Sequence, residues 1–362
     1  MNLKRKTQIL IVVTITIFVG RKAHADFIFG EPENLGPTIN SSVWEGEFDI
    51  SSDGLELYFG SDRPGSRGKW DIWVTRRKTE VDPWENPTNL GVLVNGSYED
   101  FAPSISSDGL SLYFSSNRPG GSGGYELWVT KREKLEDQWG EPVNLGPIVN
   151  SSAYDAKPSL SSDGLSLFFG SNREKTGTPH SALCYIYVTT RPTTNDPWSE
   201  PVRLGPTVNT GLEYDSDWPS ISDNGLSLYF SRWVSENEDA ELWVATRTSV
   251  LDPWSHSVSL GLYGATPKFS ADGSIMYFAS ISYGGYGEGD LFQVPIDPVV
   301  DINGDGIVDS ADMCIIVENW GTDNSLCDIG PTPFGDGIVD VQDLIVLAEH
   351  LFEEFPPAEE VE

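Results

Sequence analysis

The sequence predicts an all-β five-bladed β-propeller, closed N-to-C, followed by a small all-α module. Three observations carry that expectation. One phrase recurs five times: Ser-Ser-Asp53-Gly54-Leu-Glu-Leu-Tyr-Phe, near copies at Asp108-Gly109 and Asp163-Gly164, and looser copies at Asn224-Gly225 and Asp272-Gly273. Self-similarity at a period of about 50 residues marks a repeat architecture. The segment Glu31-Pro-Glu-Asn-Leu-Gly-Pro is an outer strand with no inner strands ahead of it, while the fifth repeat ends at Leu291-Phe-Gln-Val-Pro without one. Pairing the two closes a ring and covers both free strand edges. After residue 298 the repeat stops, and helical periodicity first appears near residue 310.

The second copy shows the elements in order. Ala102-Pro-Ser-Ile-Ser is the innermost strand. Asp108-Gly109 is a tight turn, because an Asp-Gly pair between apolar runs is a strong hairpin signal. Leu110-Ser-Leu-Tyr-Phe-Ser is the second strand, and a glycine-rich hairpin from Arg118 leads to the third, Tyr125-Glu-Leu-Trp-Val-Thr. A loop holding Trp139 precedes the outer strand Pro142-Val-Asn-Leu-Gly-Pro-Ile-Val. Four short antiparallel strands make one blade. Gly120-Gly-Ser122-Gly-Gly124 matches Gly-x-Ser-x-Gly, but it joins two strands instead of forming a strand-to-helix elbow. Trp84, Trp139, Trp198 and Trp254 recur after Asp-Pro or its variant and read as blade packing. Asn40-Ser-Ser, Asn95-Gly-Ser and Asn150-Ser-Ser fit the glycosylation pattern, yet they keep the repeat period and read first as turns.

Lys4-Arg5-Lys6, the apolar run from Ile9 to Val19 and Ala23-His24-Ala25 predict a secretory signal over residues 1–25. The run is too short to span a bilayer comfortably. The expected organisation is a signal over 1–25, a propeller over 26–298, a helical module over 299–354 and an acidic tail over 355–362. The mature protein is expected to be secreted, at the cell surface or in the periplasm, with no membrane span after cleavage. A net charge of −32 argues against nucleic acid and anionic membranes as partners. Residues 301–362 hold sixteen Asp and Glu and, His350 apart, no basic side chain, which sets them off as a separate module. Three cysteines do not make a disulfide scaffold. Cys314 and Cys327 could pair in an oxidising compartment, and Cys184 reads as a buried thiol. His180, His256 and His350 are the histidines of the mature chain, and none stands beside a nucleophile pattern. That argues against nucleophilic triads and histidine zinc sites, and no catalytic residue is assigned.

The repeat resembles TolB-type, WD40-like propeller repeats, whose signature is Ser-Pro-Asp-Gly, an apolar strand and Phe-x-Ser-x-Arg. Here Ser-Ser-Asp-Gly stands in its place, and Ser61-Asp-Arg63, Ser116-Asn-Arg118 and Ser171-Asn-Arg173 keep the ending. The likeness spans residues 31–296 and implies the fold. Such repeats occur in scaffolds, in periplasmic assembly factors and beside catalytic domains, so no single activity follows.

Asp301-Ile-Asn303-Gly-Asp305-Gly306-Ile307-Val-Asp309-Ser-Ala-Asp312 fits an EF-hand loop. Side-chain oxygens fall at positions 1, 3, 5, 9 and 12, the Ile307 carbonyl at 7, and Gly306 at the sharp turn. A hard cation needs six to eight oxygens, so Ca2+ is expected there. A helix should follow with Met313, Ile316, Val317 and Trp320 on one face. The phrase returns at Gly335-Asp336-Gly337-Ile338-Val-Asp340-Val-Gln-Asp343, followed by Leu344, Leu347, Ala348 and Leu351. Counting back puts Thr332 and Phe334 at positions 1 and 3, so strict spacing fails. Asp328-Ile329 mirrors Asp301-Ile302, and an expanded loop puts Asp328 at position 1. A second ion is then expected on Asp328, Asp336, the Ile338 carbonyl, Asp340 and Asp343.

Two calcium loops, each followed by one helix, resemble a dockerin domain over residues 299–354. The resemblance implies docking to a cohesin-like partner, and through it to an extracellular, polysaccharide-degrading assembly. Family contacts lie at loop positions 10 and 11, which are Ser310-Ala311 and Val341-Gln342 here.

Carboxylates cluster just before the innermost strand of four blades: Glu45 and Glu47, Glu99 and Asp100, Asp155, then Asp215 and Asp217. Inner strands line a propeller's channel, so these acids would ring one mouth. They could hold a cation or sugar, or supply the paired carboxylates of glycoside hydrolysis. Alternatively Arg63, Arg118, Arg173 and Arg232 neutralise them as ion pairs that serve the repeat, which is the reading favoured. Trp44, Tyr214, Trp218 and Trp233 break the repeat near that face. They would either stack on sugar rings or pack between blades. The candidate ligand face therefore comprises Glu45, Asp100, Asp155, Asp215, Asp217 and Trp218. The leading functional reading is a secreted, non-catalytic propeller binding a glycan or protein. The alternatives are a propeller glycoside hydrolase and a structural cell-surface protein.

Overall fold

This computed structural model describes residues 27–174, 184–210, 216–233, 240–270, 273–298, 300–303, 307–322, 324, 326–330 and 338–353. The expected signal over 1–25 and tail over 355–362 lie outside them. No described helix is long and apolar enough to cross a membrane.

The chain falls into two compact units, and the larger, residues 33–271 with 277–293, is a five-bladed propeller. After β1 (Phe27–Phe29) and β2 (Glu33–Asn34), the first blade is β3 (Glu45–Ile50), β4 (Glu56–Ser61), β5 (Asp71–Arg76) and β6 (Thr88–Asn89). The second is β7 (Asp100–Ile105), β8 (Ser111–Ser116), β9 (Glu126–Lys131) and β10 (Val143–Asn144). The third is β11 (Asp155–Leu160), β12 (Ser166–Ser171), β13 (Tyr185–Thr190) and β14 (Val202–Arg203). The fourth is β15 (Ser216–Ile221), β16 (Ser227–Arg232), β17 (Glu241–Thr246) and β18 (Val258–Tyr263). The fifth blade uses β19 (Ala265–Phe269), β20 (Ile275–Ser280) and β21 (Asp290–Pro298). Its outer strand is β2, paired as Glu33↔Gln293 and Asn34↔Phe292, so the N-terminal segment completes the last sheet as the sequence predicts. The inner strands neighbour one another in the order β3, β7, β11, β15, β19, with β19 beside β3.

Blades are sandwiched between blades, so the second strand of each has no wet face and reads as a continuous apolar run. Tyr58 of β4 packs with Ile105, Leu112, Phe114 and Trp128 of the next blade. One blade on, Tyr113 packs with Leu167, Phe169 and Tyr187.

The recurrent phrase has a role at each position. The first serine, as in Ser51 and Ser106, donates to the turn Asp at 2.6 Å and accepts from the N–H five residues on at 2.9 Å. The second serine reaches the next blade: Ser52 Oγ donates to the Ser107 carbonyl at 2.9 Å, and Ser107 Oγ to that of Ser162 at 2.6 Å. Gly54 holds φ 68° and Gly109 φ 69°, the left-handed turn position that glycine adopts without strain. Trp84, Trp139, Trp198 and Trp254 are blade packing. Each lies under a guanidinium, of Arg77, Arg132, Arg191 and Arg247, at 4.2–4.4 Å.

Asn40, Asn95 and Asn150 are clamps, not glycan acceptors, since each side chain is buried. Asn95 accepts from the Ile72 N–H at 2.9 Å and donates to the Ile72 carbonyl at 2.8 Å, standing in for a missing strand partner. Asn95→Ala should cost about 1–3 kcal/mol, because it orphans two buried backbone groups. A lowered urea midpoint at unchanged m-value checks it.

The second unit holds residues 294–362 with 272–276 and the N-terminal segment. There β1 pairs with the end of β21, Phe29 opposite Ile296. Helices α1 (Ser310–Glu318) and α2 (Val341–Glu349) pack against each other. Asp309 and Asp340 cap them, each in a reciprocal box with the acid three residues on. The shared core is Val300, Val308, Ile316, Cys327, Ile329, Val339, Val346 and Leu347. Two expected core faces are corrected. Val317 and Trp320 are about half exposed, and on α2 Val346 is buried where Ala348 faces out. Cys314 and Cys327 are separate free thiols, the first exposed and the second in this core. Cys184 is a buried thiol, as expected.

Candidate functional site

The acids expected to ring the mouth divide into two groups with different fates. Glu45, Asp100 and Asp155 begin the inner strands, are each 0% exposed, and are saturated. Asp155 Oδ1 accepts from Arg173 Nη2 at 2.6 Å and Ser171 Oγ at 2.6 Å, and its Oδ2 from Ser151 N at 2.6 Å and Ser151 Oγ at 2.7 Å. Asp100 meets Arg118 at 2.5 Å, Ser116 Oγ at 2.5 Å and Gly96 N at 2.9 Å, and Glu45 meets Arg63 at 3.1 Å and Ser61 Oγ at 2.9 Å. Each arginine also stacks on its own blade's aromatics, as Arg173 does on Phe169 and Tyr187. These are the repeat's own ion pairs.

The fourth blade departs from this scheme. Ser216, opposite Arg232, takes the position of Glu45, so Asp217 sits one residue beyond the acid ring rather than in it. Arg232 occupies the register of Ser61, not of Arg63, yet its Nη2 still reaches the Val208 carbonyl at 2.9 Å as Arg173 reaches that of Val149. Asp215 and Tyr214 lie outside the described residues.

Each inner strand carries one residue in the left-handed region: Glu47 (φ 45°), Ala102 (φ 50°), Lys157 (φ 61°), Trp218 (φ 49°) and Thr266 (φ 51°). They are equivalent positions, and in the first four blades the ladder register breaks there. Such a conformation costs about 1–3 kcal/mol per non-glycine residue, and strain of this kind gathers at functional sites. Four of the five precede a proline, Pro103, Pro158, Pro219 and Pro267. Proline lacks the N–H that a ladder needs and is tolerated at bulges. That dipeptide was the available sequence signal for Lys157 and Thr266, which the sequence reading missed.

While the repeat is otherwise uniform, this ring of positions offers an acid, a methyl, an amine, an indole and a hydroxyl. Three of these groups meet, together with the neighbouring Asp217. Trp218 Nε1 donates to Glu47 Oε1 at 3.0 Å. Lys157 Nζ pairs with Asp217 Oδ2 and lies 3.5 Å over the Trp218 ring and 5.7 Å from the Tyr154 ring centroid. Gly170 leaves room for the Asp217 carboxylate, since a Cβ there would stand 2.1 Å from its Oδ1. Burial pushes the Glu47 carboxyl up to about 7; the Lys157 charge and the Trp218 hydrogen bond oppose the shift, and Asp217 reinforces it. Burial alone would lower the Lys157 ammonium, but Asp217 and Glu47 more than offset it and hold it above its usual range. Glu47 Oε2 and Thr266 Oγ1 are buried without a hydrogen-bond partner.

Aromatic rings run from blade to blade beside this cluster. Trp44–Trp70, Trp70–Phe101, Phe101–Tyr125 and Tyr125–Tyr154 have centroids 5.5, 5.4, 5.1 and 5.5 Å apart. Trp218 and Trp233 lie 6.0 Å apart, and Trp233 is 36% exposed. Trp44 is seated over Gly46, where a Cβ would meet its ring at 2.4 Å. Packing and surface roles thus fall to different members of the set.

In the C-terminal unit the described ends of the two loops make matching hydrogen bonds. Asp312 accepts from the N–H groups of Asn303 at 3.0 Å and Asp309 at 2.9 Å, and Asp343 from those of Gly330 at 2.7 Å and Asp340 at 2.6 Å. Gly330 therefore takes the place of Asn303, and Asp328 that of Asp301. Counted from Asp328 to Asp343, the second loop is four residues longer than the first. Asp305 and Asp336 lie outside the described residues. Among the described residues no three acidic, histidine or cysteine side chains converge closely enough to hold a metal ion. The Ile307 and Ile338 side chains are exposed, and so are Ser310, Ala311, Val341 and Gln342 at the helix starts.

No family model and no curated protein matches the chain. Among solved structures it is similar to TolB from Acinetobacter baumannii, at 16% identity over 72% of this chain and 55% of that one, with a TM-score of 0.41. It is also similar to a thermostable family-43 glycoside hydrolase, at 13% identity over 72% and 92% of the two chains, with a TM-score of 0.48. An alpha-L-arabinofuranosidase from Lactobacillus brevis matches at 15% identity over 72% and 92%, with a TM-score of 0.45. The chain spans about half the length of the Acinetobacter protein.

Proposed function

We propose that this chain is a non-catalytic binding propeller carried outside the cytoplasm. Residues 299–354 form its dockerin-like module and join it to a cohesin-like partner in a polysaccharide-degrading assembly. The observation that carries the non-catalytic reading is the saturation of Glu45, Asp100 and Asp155 by arginine, serine and backbone donors. A carboxylate fully occupied in this way is not free to move protons for a substrate. The matching hydrogen bonds of the two loops and the exposed helix starts support the docking reading.

The donor set fits Ca2+, because every candidate ligand is a hard oxygen. Asp301, Asn303, Asp305, the Ile307 carbonyl, Asp309 and Asp312 would hold one ion. Asp328, Asp336, the Ile338 carbonyl, Asp340 and Asp343 would hold the other. Bound calcium would neutralise carboxylates that otherwise repel one another across a small core. Affinity of about 0.1–1 mM suits an extracellular module. Chelation should therefore unfold residues 299–354 and leave the propeller's own thermal transition in place. A calorimetric scan with and without chelator reads both transitions, and a scan that chelation leaves unchanged would refute the calcium assignment. Capture on an immobilised cohesin panel, lost on chelation, tests the docking reading. Absence of capture by any cohesin would favour a structural cell-surface role.

One observation favours a second reading, a glycoside hydrolase. Burial pushes the Glu47 carboxyl up to about 7, and a buried acid raised into the neutral range suits a general acid. Hydrolysis of a polysaccharide panel, abolished in Glu47→Gln, would install it.

A further inference from the structure

The two helices of the C-terminal unit are built alike, but their outward faces differ. Asp309 caps α1 and Asp340 caps α2, so Ser310, Cys314 and Val317 correspond to Val341, Ile345 and Ala348. All six are exposed. The turns that follow also match. The Gly321 N–H donates to the Val339 carbonyl and the Phe352 N–H to the Val308 carbonyl, each at 2.8 Å. Gly321 holds φ 73° there, which glycine adopts without strain, and Phe352 holds the same φ 73°. A bulky residue rarely takes that conformation, and strain of this kind gathers at functional sites. Burial does not explain it, since Phe352 is 80% exposed.

Helix α2 therefore presents Val341 and Ile345, 55% and 54% exposed, with Ala348 on one face at i, i+4 and i+7, and ends on Phe352. Its core residues Val346 and Leu347 lie on the opposite side. At the same places α1 offers a hydroxyl, a thiol, one valine and a glycine. Charge selects what can cover the apolar face. Glu349 and Glu353 stand beside it, both exposed, and residues 301–362 contain sixteen acids with neither lysine nor arginine. A second copy of the chain would set like charge against like charge, and an anionic lipid surface would do the same. A basic rim on the partner would be complementary. We infer that the outer face of α2, formed by Val341, Ile345, Ala348 and Phe352, is the docking face of this unit, and that it takes a protein whose apolar cleft is rimmed by lysine and arginine. The inference rests on the docking reading above and chooses between the two helices.

The test uses the full chain in calcium on the immobilised cohesin panel. Ile345→Glu should weaken capture by about thirtyfold, the usual loss of an interface anchor, without lowering the melting temperature. Val317→Glu and Trp320→Ala, on the α1 side, should change it by less than about twofold. Phe352→Gly separates binding from packing. Glycine relieves the left-handed backbone as Gly321 does, so this variant should melt at or above the wild type yet bind about tenfold more weakly. Capture should also weaken as salt is raised, because the rim contacts are charged. Capture lost in Val317→Glu and kept in Ile345→Glu would overturn the inference while leaving the docking reading intact. A lower melting temperature with undiminished capture in Phe352→Gly would overturn it too, by making that ring part of the unit's own packing. Capture that strengthens with salt would contradict the basic rim. A dimer seen by light scattering and abolished by Ile345→Glu would give the face to a second copy. Capture by no cohesin would remove the docking reading and this inference together.

Discussion

Asp155→Ala is expected to lower the stability of the propeller by about 3–5 kcal/mol, the usual cost of breaking a buried ion pair from one side. The carboxylate is 0% exposed and takes four donors, so its removal strands the Arg173 guanidinium against Phe169 and Tyr187 and leaves Ser151 and Ser171 unsatisfied. Arg173→Met in the same background should recover part of the loss, because the uncompensated charge goes with it. A double-mutant cycle in urea measures that coupling. The sign is informative about function as well. A carboxylate kept for chemistry is commonly held at a cost to the fold, so removing it leaves stability unchanged or raised. If Asp155→Ala melts at or above the wild type, the acid ring belongs to a substrate and not to the repeat.

The strength of the repeat explains what could be read from sequence and what could not. The Asp-Gly turns, the second strands and the closing segment at Glu33–Asn34 were legible because turn chemistry and apolar runs act locally. Asn40, Asn95 and Asn150 looked like turns or glycan acceptors because the strand backbones they clamp, such as that of Ile72, are 23 residues away or more. The shift of Asp217 and Arg232 out of their expected registers was hidden for another reason. The bulge recurs at the same place in each of the first four blades and does not disturb the count. Glu45, Asp100 and Asp155 stand at one fixed offset before their turn residue, and the same offset from Asn224 falls on Ser216, so the acids flanking Ser216 obscured the true ring position. The face of α1 was misjudged where a stripe of apolar residues runs past the helix end. Trp320 lies two residues beyond Glu318, outside the geometry that a period of 3.6 describes. For the C-terminal loops, the expanded register placing Asp328 opposite Asp301 was visible in the mirrored Asp-Ile pairs. Gly330 and Asn303 make equivalent bonds, to Asp343 and Asp312.

Glu47→Gln should leave stability nearly unchanged at acid pH and raise it by about 3 kcal/mol at pH 8 and above. The sign follows from linkage. The folded carboxyl is pushed from 4.5 to about 7, chiefly by burial, so the folded state holds its proton where the unfolded chain has released it. Below about 4.5 both states are protonated and the group contributes nothing to the pH dependence. Between 4.5 and 7 the native state binds more protons than the unfolded one, and stability falls as pH rises. Above 7 the full penalty of a buried charge is present, about 1.4 kcal/mol for each pKa unit. Glutamine keeps the acceptor for Trp218 Nε1 and removes the charge, so its advantage should grow through that window and then level off. The measurement is the difference between the two stability curves from pH 4 to 9, which cancels the other titrating groups. A difference that is flat, or that grows toward acid, would mean that Lys157 stabilises an ionised Glu47 more than burial penalises it. In that case Glu47 serves as a second counter-ion to the Lys157 ammonium, beside the Asp217 carboxylate that already pairs with it.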